Sequence, residues 1–309
     1  MTVPTTGFKI TDIQAELGES GQTDIESLML SENVVAAGLN SAYCGGLADL
    51  RSVPYHIGKF RGYEKPPTVS DLYGVLYNSF VATSLTKNIA PIDPNISGVQ
   101  NWRVPNETDI YLLQVAIGSA NNRLKLNKLL VGDPPTNHPG WKSPNLLAEN
   151  LFEFRGLGTG SRVHTYPPSF QEGPNPYTDA TFEKLGEALV LLTSTKSSYT
   201  GHDGNTYQAV RVFDMRYNTA GRYYKSVTTF GYSIRCCRNY IEGYDVAPYP
   251  PVYDYQGNRY DVIKVNELMW LQSDMRATTY NDGTSIPIRQ SNDAWLVNTS
   301  MPACCVNEF

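Results

Sequence analysis

The chain has 309 residues, 41% of them hydrophobic and 18% charged, with a formal net charge of −5. That length and apolar share support one sizeable core plus a smaller module, and they exclude a disordered tail. The acidic balance, with no concentrated basic stretch, excludes a nucleic-acid partner, because phosphate contacts require a basic face.

The 21 Tyr, 25 Gly and 20 Pro point to many short strands and ordered loops rather than long amphipathic helices. No apolar run approaches the ~20 residues that span a bilayer, and Met1 to Lys9 lacks a charged n-region followed by an apolar h-region. A soluble chain without membrane insertion or a secretion signal is expected.

In chain order, residues 1–64 form a separate pattern. Ile10, Ile13 and Leu17, then Ile25, Leu28 and Leu30, recur at short-helix intervals broken by Gly18, Gly21 and Gly38, and the segment closes on Phe60 to Tyr63. A small, mainly helical module is expected there. Glu64 to Thr68, with Pro66 and Pro67 adjacent, removes amide donors and holds the backbone extended, which places the domain boundary. Beyond it, Asn106 is expected to cap a helix with Glu107 and Asp109 in its first turn and Ile110, Leu113 and Ala116 on one face. Trp102 is expected to anchor that helix on a sheet. Ala188 to Ser194 reads as a buried strand and Tyr207 to Phe213 as an alternating one. Gly204-Asn205 and Gly257-Asn258 each precede an alternating run, which is the turn chemistry of a hairpin.

Catalytic and metal signatures are missing from the sequence. His56, His138, His164 and His202 form no metal-spaced pair. Asp203-Gly204 and Asp282-Gly283 read as turns before calcium ligands. The run from Gly156 to Ser161 lacks the Lys-Ser/Thr of a phosphate loop and reads as a tight turn. Cys44 has no local base, and Cys236, Cys237, Cys304 and Cys305 fit neither a disulfide framework nor a zinc site, so buried free thiols are expected. No Gly-x-Ser-x-Gly elbow occurs. These readings together point to a non-enzyme with no cofactor and no metal. Surface recognition remains, with aromatic side chains supplying rigid contact area. The candidates are Tyr199, Tyr207, Tyr217, Tyr223 and Tyr224 in the polar stretch from Ser197 to Ser226; packing of Tyr207 and Tyr224 on the sheet is the competing role.

Several words then recur in a family order: Tyr73 to Asn78, Trp102 to Pro105, Lys125-Leu126, Gly156 to Arg162, Leu192 to Thr195 and Gly231 to Cys236. This series resembles the Fibrobacter succinogenes major paralogous domain, a C-type-lectin-like module common in Bacteroidetes and their phages. The family's opening words appear here after the rest, at Gln256 to Tyr260, Met269 to Arg276, Tyr280 to Pro287 and Trp295, so the domain resembles a circular permutant. Termini that lie close together at a surface make such a permutation cheap. The departures are Gln256, Asp274 and Thr193, where the family has Asp, Asn and Ser. Two other arrangements stay open: residues 241–309 begin a truncated second copy, or they complete a neighbouring subunit's sheet. The segment from Ile10 to Leu28 closing on Phe60 is similar to an N-terminal segment of phage virion proteins.

The resemblance implies an α+β chain, with a small, mainly helical module over 1–64 and a C-type-lectin-like domain over 65–309, rich in short antiparallel strands and long loops. Residues 65–240 would form its main part and 241–309 the completing segment. It further implies a structural virion protein of a bacteriophage, a tail fibre or fibre-associated component assembled in the host cytoplasm. Residues 1–64, with Ile10, Ile13, Leu17, Leu28 and Phe60, would dock on other virion proteins, and a homotrimer would present the domain to a host-surface glycan or glycoprotein. A purely architectural connector is the alternative.

Overall fold

The computed structural model describes residues 73–93, 96, 101–118, 121–125, 141–165, 179–200, 204–218, 222–291, 294–295 and 301–306. The chain divides into Met1–Thr68 and Val69–Phe309, and the described residues all belong to the second unit. Ile10, Ile13, Leu17, Leu28 and Phe60 therefore lie outside the described residues, as do Cys44, His56, His138 and His202.

The described elements begin with β1 (Val75–Tyr77), α1 (Ser79–Ala82) and α2 (Glu107–Ile117). A second group follows: β2 (Thr159–Thr165), β3 (Asp179–Leu185), β4 (Ala188–Thr200), β5 (Thr206–Arg216) and β6 (Tyr223–Val227). The last group is β7 (Cys237–Asn239), β8 (Val252–Tyr253), β9 (Arg259–Tyr260), β10 (Val262–Val265), β11 (Leu268–Leu271) and β12 (Cys304–Val306). They form a five-stranded sheet in the order β3-β2-β4-β5-β6, a three-stranded sheet β10-β11-β7, and the pairs β1-β12 and β8-β9. All pairings are antiparallel except one parallel contact, Gly160 with Leu189, between β2 and β4. Among the described residues this is a mainly antiparallel β fold with few helices, and no helix is long and apolar enough to cross a membrane.

Side-chain alternation explains how a continuous apolar strand is used. In β4, Ala188, Val190 and Leu192 enter one core while Leu189 and Leu191 enter another. The same division runs through β11, where Met269 and Leu271 join the first core and Leu268 and Trp270 the second. A strand covered on both faces needs apolar residues at every position, and β4 is buried without a break from Ala188 to Thr193. Past that point β4 leaves the cores and alternates. β5 departs from the expected simple alternation for the same reason, since Val212, Phe213, Asp214 and Met215 are all buried between two layers.

The register between β4 and β5 shifts between Leu192 and Lys196. The residues released from pairing hold α2: Ser194 N–H donates to Pro105 O, and Glu107 N–H donates to Thr195 Oγ1. Asn106 caps α2 as expected, and the cap is reciprocal: Asp109 N–H donates to Asn106 Oδ1 while Asn106 N–H donates to Asp109 Oδ2. The buried face of α2 is Ile110, Leu113 and Ile117, and Ala116 packs partly buried against the same core as Trp141, Phe154 and Trp270, as expected. Trp102 is fully buried but belongs to the opposite core. The tie between its segment and the helix is instead the Arg103–Asp109 ion pair at 2.6 Å.

The C-terminal segment packs within the same chain. β12 pairs with β1 through Leu76–Cys305, β11 pairs with β7 through Trp270–Cys237, and Arg103 bridges the other edge of β7 at Cys237. Trp102 and Trp270 thus stand on opposite faces of one sheet. The recurring words supply this framework. Arg162 is fully buried, with its guanidinium 4.9 Å from the Phe182 ring centre and 4.8 Å from that of Trp295, and it donates to Arg289 O and Gln290 O. Arg235 pairs with Asp274 at 2.6 Å; Asp274 is one of the departures from the family word, and it serves as a buried counter-ion. Burial pushes the Asp274 carboxyl above its ordinary range even with Arg235 beside it.

Gly74, at φ +75, occupies backbone space that a side chain would share with Met275 O, 2.9 Å from where a Cβ would sit. The glycine run from Gly156 is not the expected tight turn: it enters β2 at Thr159, and Gly158 lies so close to the hairpin at Gly186 that an added Cβ would stand 2.6 Å from Gly186 Cα. Cys236, Cys237, Cys304 and Cys305 are buried and free. Gly204, Gly257 and Gly283 all take positive φ; the first two open β5 and β9 and the third closes the turn after Asp282.

Candidate functional site

On the face of the five-stranded sheet shared with the Trp102 core lies a pocket of about 330 Å³. Its floor is Ala188 and Val190 of β4 with Tyr232. β2 and β4 pair directly at a single residue pair, Gly160 with Leu189, and beyond it the chain after β6 runs between them, bonding to β2 at Arg162 and to β4 at Val190 and Leu192. That return is fixed by Gly231, whose amide and carbonyl both bond to Arg162 of β2, and by Tyr232, which exchanges backbone bonds with Tyr77.

Tyr224 and Phe230 form aromatic walls, and Ser161 and Ser226 contribute hydroxyls. Ser226 Oγ and Tyr232 Oη are hydrogen-bonded at 2.8 Å, which pins both. Burial holds the Tyr232 and Tyr224 phenols above their ordinary pKa; at Tyr224 the nearby Asp214 charge adds to that effect. Both stay protonated, neutral donors at physiological pH.

Arg216 of β5 and Lys184 of β3 are among the cationic residues that line the pocket. Arg216 ends β5, and period-two alternation puts it on the face of Val212 and Asp214. Its Nε donates to Asp214 Oδ2 at 2.8 Å, and fully buried Asp214 also accepts from the Arg222 amide. Burial works against the Arg216 charge, but the bond to Asp214 outweighs it and holds the pKa above its ordinary value. The backbone is clamped as well: Arg216 N–H donates to Asn122 Oδ1, and the Lys125 ammonium, pulled down by burial to about 8, donates to Arg216 O.

Lys184 precedes the hairpin between β3 and β4 with φ at 64, a left-handed conformation unusual for a lysine. Its nearest acid is Glu183 at 3.9 Å, a loose surface pair. Lys225 also borders the pocket, with its ammonium on Ser198 O. Among the described residues, no Asp or Glu lines this pocket, nor a second one of about 230 Å³ between α1 and β4, where Phe80, Lys196 and Gln208 meet.

The five tyrosines singled out from sequence do not share one surface. Only Tyr224 lines the pocket. Tyr199 and Tyr207 are cross-strand partners near the end of the β4-β5 hairpin, half-buried and stacked with ring centres 5.4 Å apart. Tyr217 and Tyr223 pack against the opposite core, Tyr223 under the Arg211 guanidinium at 5.4 Å. The more exposed tyrosines lie elsewhere, at Tyr111 (64%), Tyr253 (53%) and Tyr255 (63%).

Sequence reasoning missed Lys184, Arg216, Phe230 and Ser226 and read Ser161 and Tyr232 only as parts of recurring words. The usable signal was the alternation Val212-Asp214-Arg216, which carries charge onto an otherwise apolar strand face. Among the described residues, no group of three or more His, Cys, Asp or Glu is placed to hold a metal ion. Comparison with family models, with curated proteins and with solved structures found no match.

Proposed function

We propose that this chain is a non-catalytic recognition protein of a bacteriophage virion, a fibre or fibre-associated component, whose permuted C-type-lectin-like domain takes a host-surface glycan in the pocket over the five-stranded sheet. One observation carries the binding half of this reading: among the described residues the pocket combines the Tyr224 and Phe230 walls, the Ser161 and Ser226 hydroxyls and the Arg216 and Lys184 cations, with no carboxylate. Aromatic faces beside hydroxyl donors suit the apolar face and polar rim of a sugar ring. Glycoside hydrolysis would need a pair of carboxylates flanking the bond, and among the described residues neither pocket lining supplies one.

The virion half rests on the family words and on the N-terminal segment. Repeated sites on a homotrimer would turn a weak single site into firm attachment, with residues 1–64 holding other virion proteins. A connector that binds only virion proteins is favoured by the exposed apolar side chains Val246, Tyr253 and Tyr255 in a proline-rich segment.

Adsorption of the purified full chain to bacterial cells and to a panel of their surface polysaccharides tests the reading. Saturable binding lost in Tyr224→Ala and Phe230→Ala, with unfolding temperature kept, is the expected result. Capture of other virion proteins with no adsorption to any cell or polysaccharide would establish the connector instead.

A further inference from the structure

We infer that the cavity between α1 and the outer halves of β4 and β5 is a second sugar site, weaker than the pocket bordered by Tyr224, with Lys196 and Gln208 as its polar groups and Phe80 as its aromatic wall. The inference rests on the glycan reading above and extends it: each chain holds its ligand at two places.

The cavity, of about 230 Å³, lies where β4 leaves the cores. β4 is buried without a break as far as Thr193, its register with β5 shifts between Leu192 and Lys196, and from Lys196 onward exposed and half-buried residues alternate. Over this region stands α1, only four residues long. Its start is tied down, since the Ser79 amide donates to Thr228 O, and Val81 and Ala82 enter the Trp102 core. Phe80 does not follow them: it is half-buried, belongs to neither of the two large cores, and lines the cavity.

Strand register brings the polar groups together. Lys196 stands opposite Val210 and Ser198 opposite Gln208, and side chains two apart on a strand share a face, as do directly opposed partners. Val210 is buried in the Trp102 core, the core that α1 enters. Lys196 and Gln208 are therefore diagonal neighbours on the face that α1 covers, a separation that long side chains bridge. Both are exposed, and among the described residues neither side chain has a hydrogen bond or an ion pair. The nearby Lys225 ammonium, by contrast, is held on Ser198 O.

The chemistry of the lining fits a sugar ring. An ammonium only donates, an amide donates and accepts, and the hydroxyls of Ser79, Thr83, Ser197 and Thr228 do both; a ring bearing several hydroxyls takes that mixture of partners. Phe80 supplies an apolar surface for the C–H face of the ring. A volume below that of most ligand pockets, and one aromatic wall where the first pocket has two, make this the weaker site. Val227 borders the first cavity and Thr228 the second. Adsorption thus still depends on Tyr224, and the second site adds avidity once the first is filled.

The test is saturation-transfer NMR of the full chain with three soluble probes: maltohexaose, chitohexaose and cellohexaose. Wild type is compared with Tyr224→Ala, Lys196→Ala and Gln208→Ala, and with the double variants that add either of the last two to the first; Phe230→Ala takes the place of Tyr224→Ala should that variant fail to fold. At least one probe is expected to bind Tyr224→Ala weakly, and that residual binding is expected to fall about tenfold in each double variant. Lys196 and Gln208 are exposed, so an unchanged unfolding temperature is expected on replacing them. Wild-type binding that disappears in Tyr224→Ala and is unaltered in Lys196→Ala and Gln208→Ala would overturn this inference and leave the glycan reading standing. Residual binding that the double variants leave intact would overturn it as well. Absence of binding by all three probes, in a protein with a cooperative unfolding transition, would overturn both.

Discussion

The closure made by β1, β12, β7 and β11 and the face made by β3 to β6 are built from the same kind of strand, yet they differ in what lies against them. In the closure both strand faces are covered, and Leu76, Cys237, Trp270 and Cys305 are all buried. On the sheet face the chain after β6 runs between β2 and β4, and Arg216, Ser226 and Lys184 border a cavity there. The closure is packed on both sides and tolerates few alternatives, whereas the far ends of β4 and β5 leave the cores and alternate.

The largest expected effect breaks the closure. Arg235→Ala leaves the Asp274 carboxylate buried without its partner, and removal of one member of such a pair destabilises by about 3–5 kcal/mol, measured by urea unfolding; a loss below about 1 kcal/mol would move Arg235 out of the framework.

Next comes pH. Burial raises the Cys236 and Cys237 thiols and pushes Cys304 up to about 12, above the ordinary thiol value near 9. A raised folded-state pKa means stability that is fully present below pH 9 and lost as pH rises toward 12, at about 1.4 kcal/mol per pH unit for each thiol. Unfolding free energy followed from pH 8 to 11 should fall, and Cys304→Ala should fall less steeply.

Asn106→Ala removes the acceptor for the Asp109 amide and should cost about 1 kcal/mol without touching the pocket, as read by thermal unfolding and ligand titration together. The smallest effect sharpens the contrast. Tyr199→Ala and Tyr207→Ala each remove half of a half-buried stacked pair and should cost under about 1 kcal/mol with adsorption to polysaccharide unchanged, whereas Tyr224→Ala should abolish adsorption. Equal loss of adsorption in all three would return the recognition surface to the hairpin end.

Much of the framework was legible in the sequence. Ala188 to Ser194 reads as a buried strand because its apolar run is unbroken; Asn106 reads as a cap because Asp109 stands three positions on. The buried thiols follow from cysteine spacings that suit neither disulfide nor zinc, and the turns at Gly257 and Gly283 follow from glycine beside Asn or Asp. Trp102 was misplaced because a single tryptophan before a helix does not say which face of the sheet it enters, and β7 separates it from α2. Ile117 was passed over beside Ala116, although both face the same core, because only the depth of that core shows how far the stripe extends.

The pocket was not legible at all. It depends on Lys184, Arg216 and Phe230 meeting across three strands and a return loop, and no local period encodes that meeting. Tyrosine content drew attention to Tyr199, Tyr217 and Tyr223, which a count cannot separate from Tyr224.

Hydrogen exchange of the full chain, with and without the polysaccharide it adsorbs, tests most directly whether recognition sits on the open sheet face and not on the closure or its neighbouring loop. Added protection in Ser161 to Val163, Lys184 to Val190 and Arg222 to Tyr232, with Leu268 to Leu271 unchanged, is the expected result. Protection confined to Tyr244 through Tyr255, with Arg222 to Tyr232 unaltered, would contradict it.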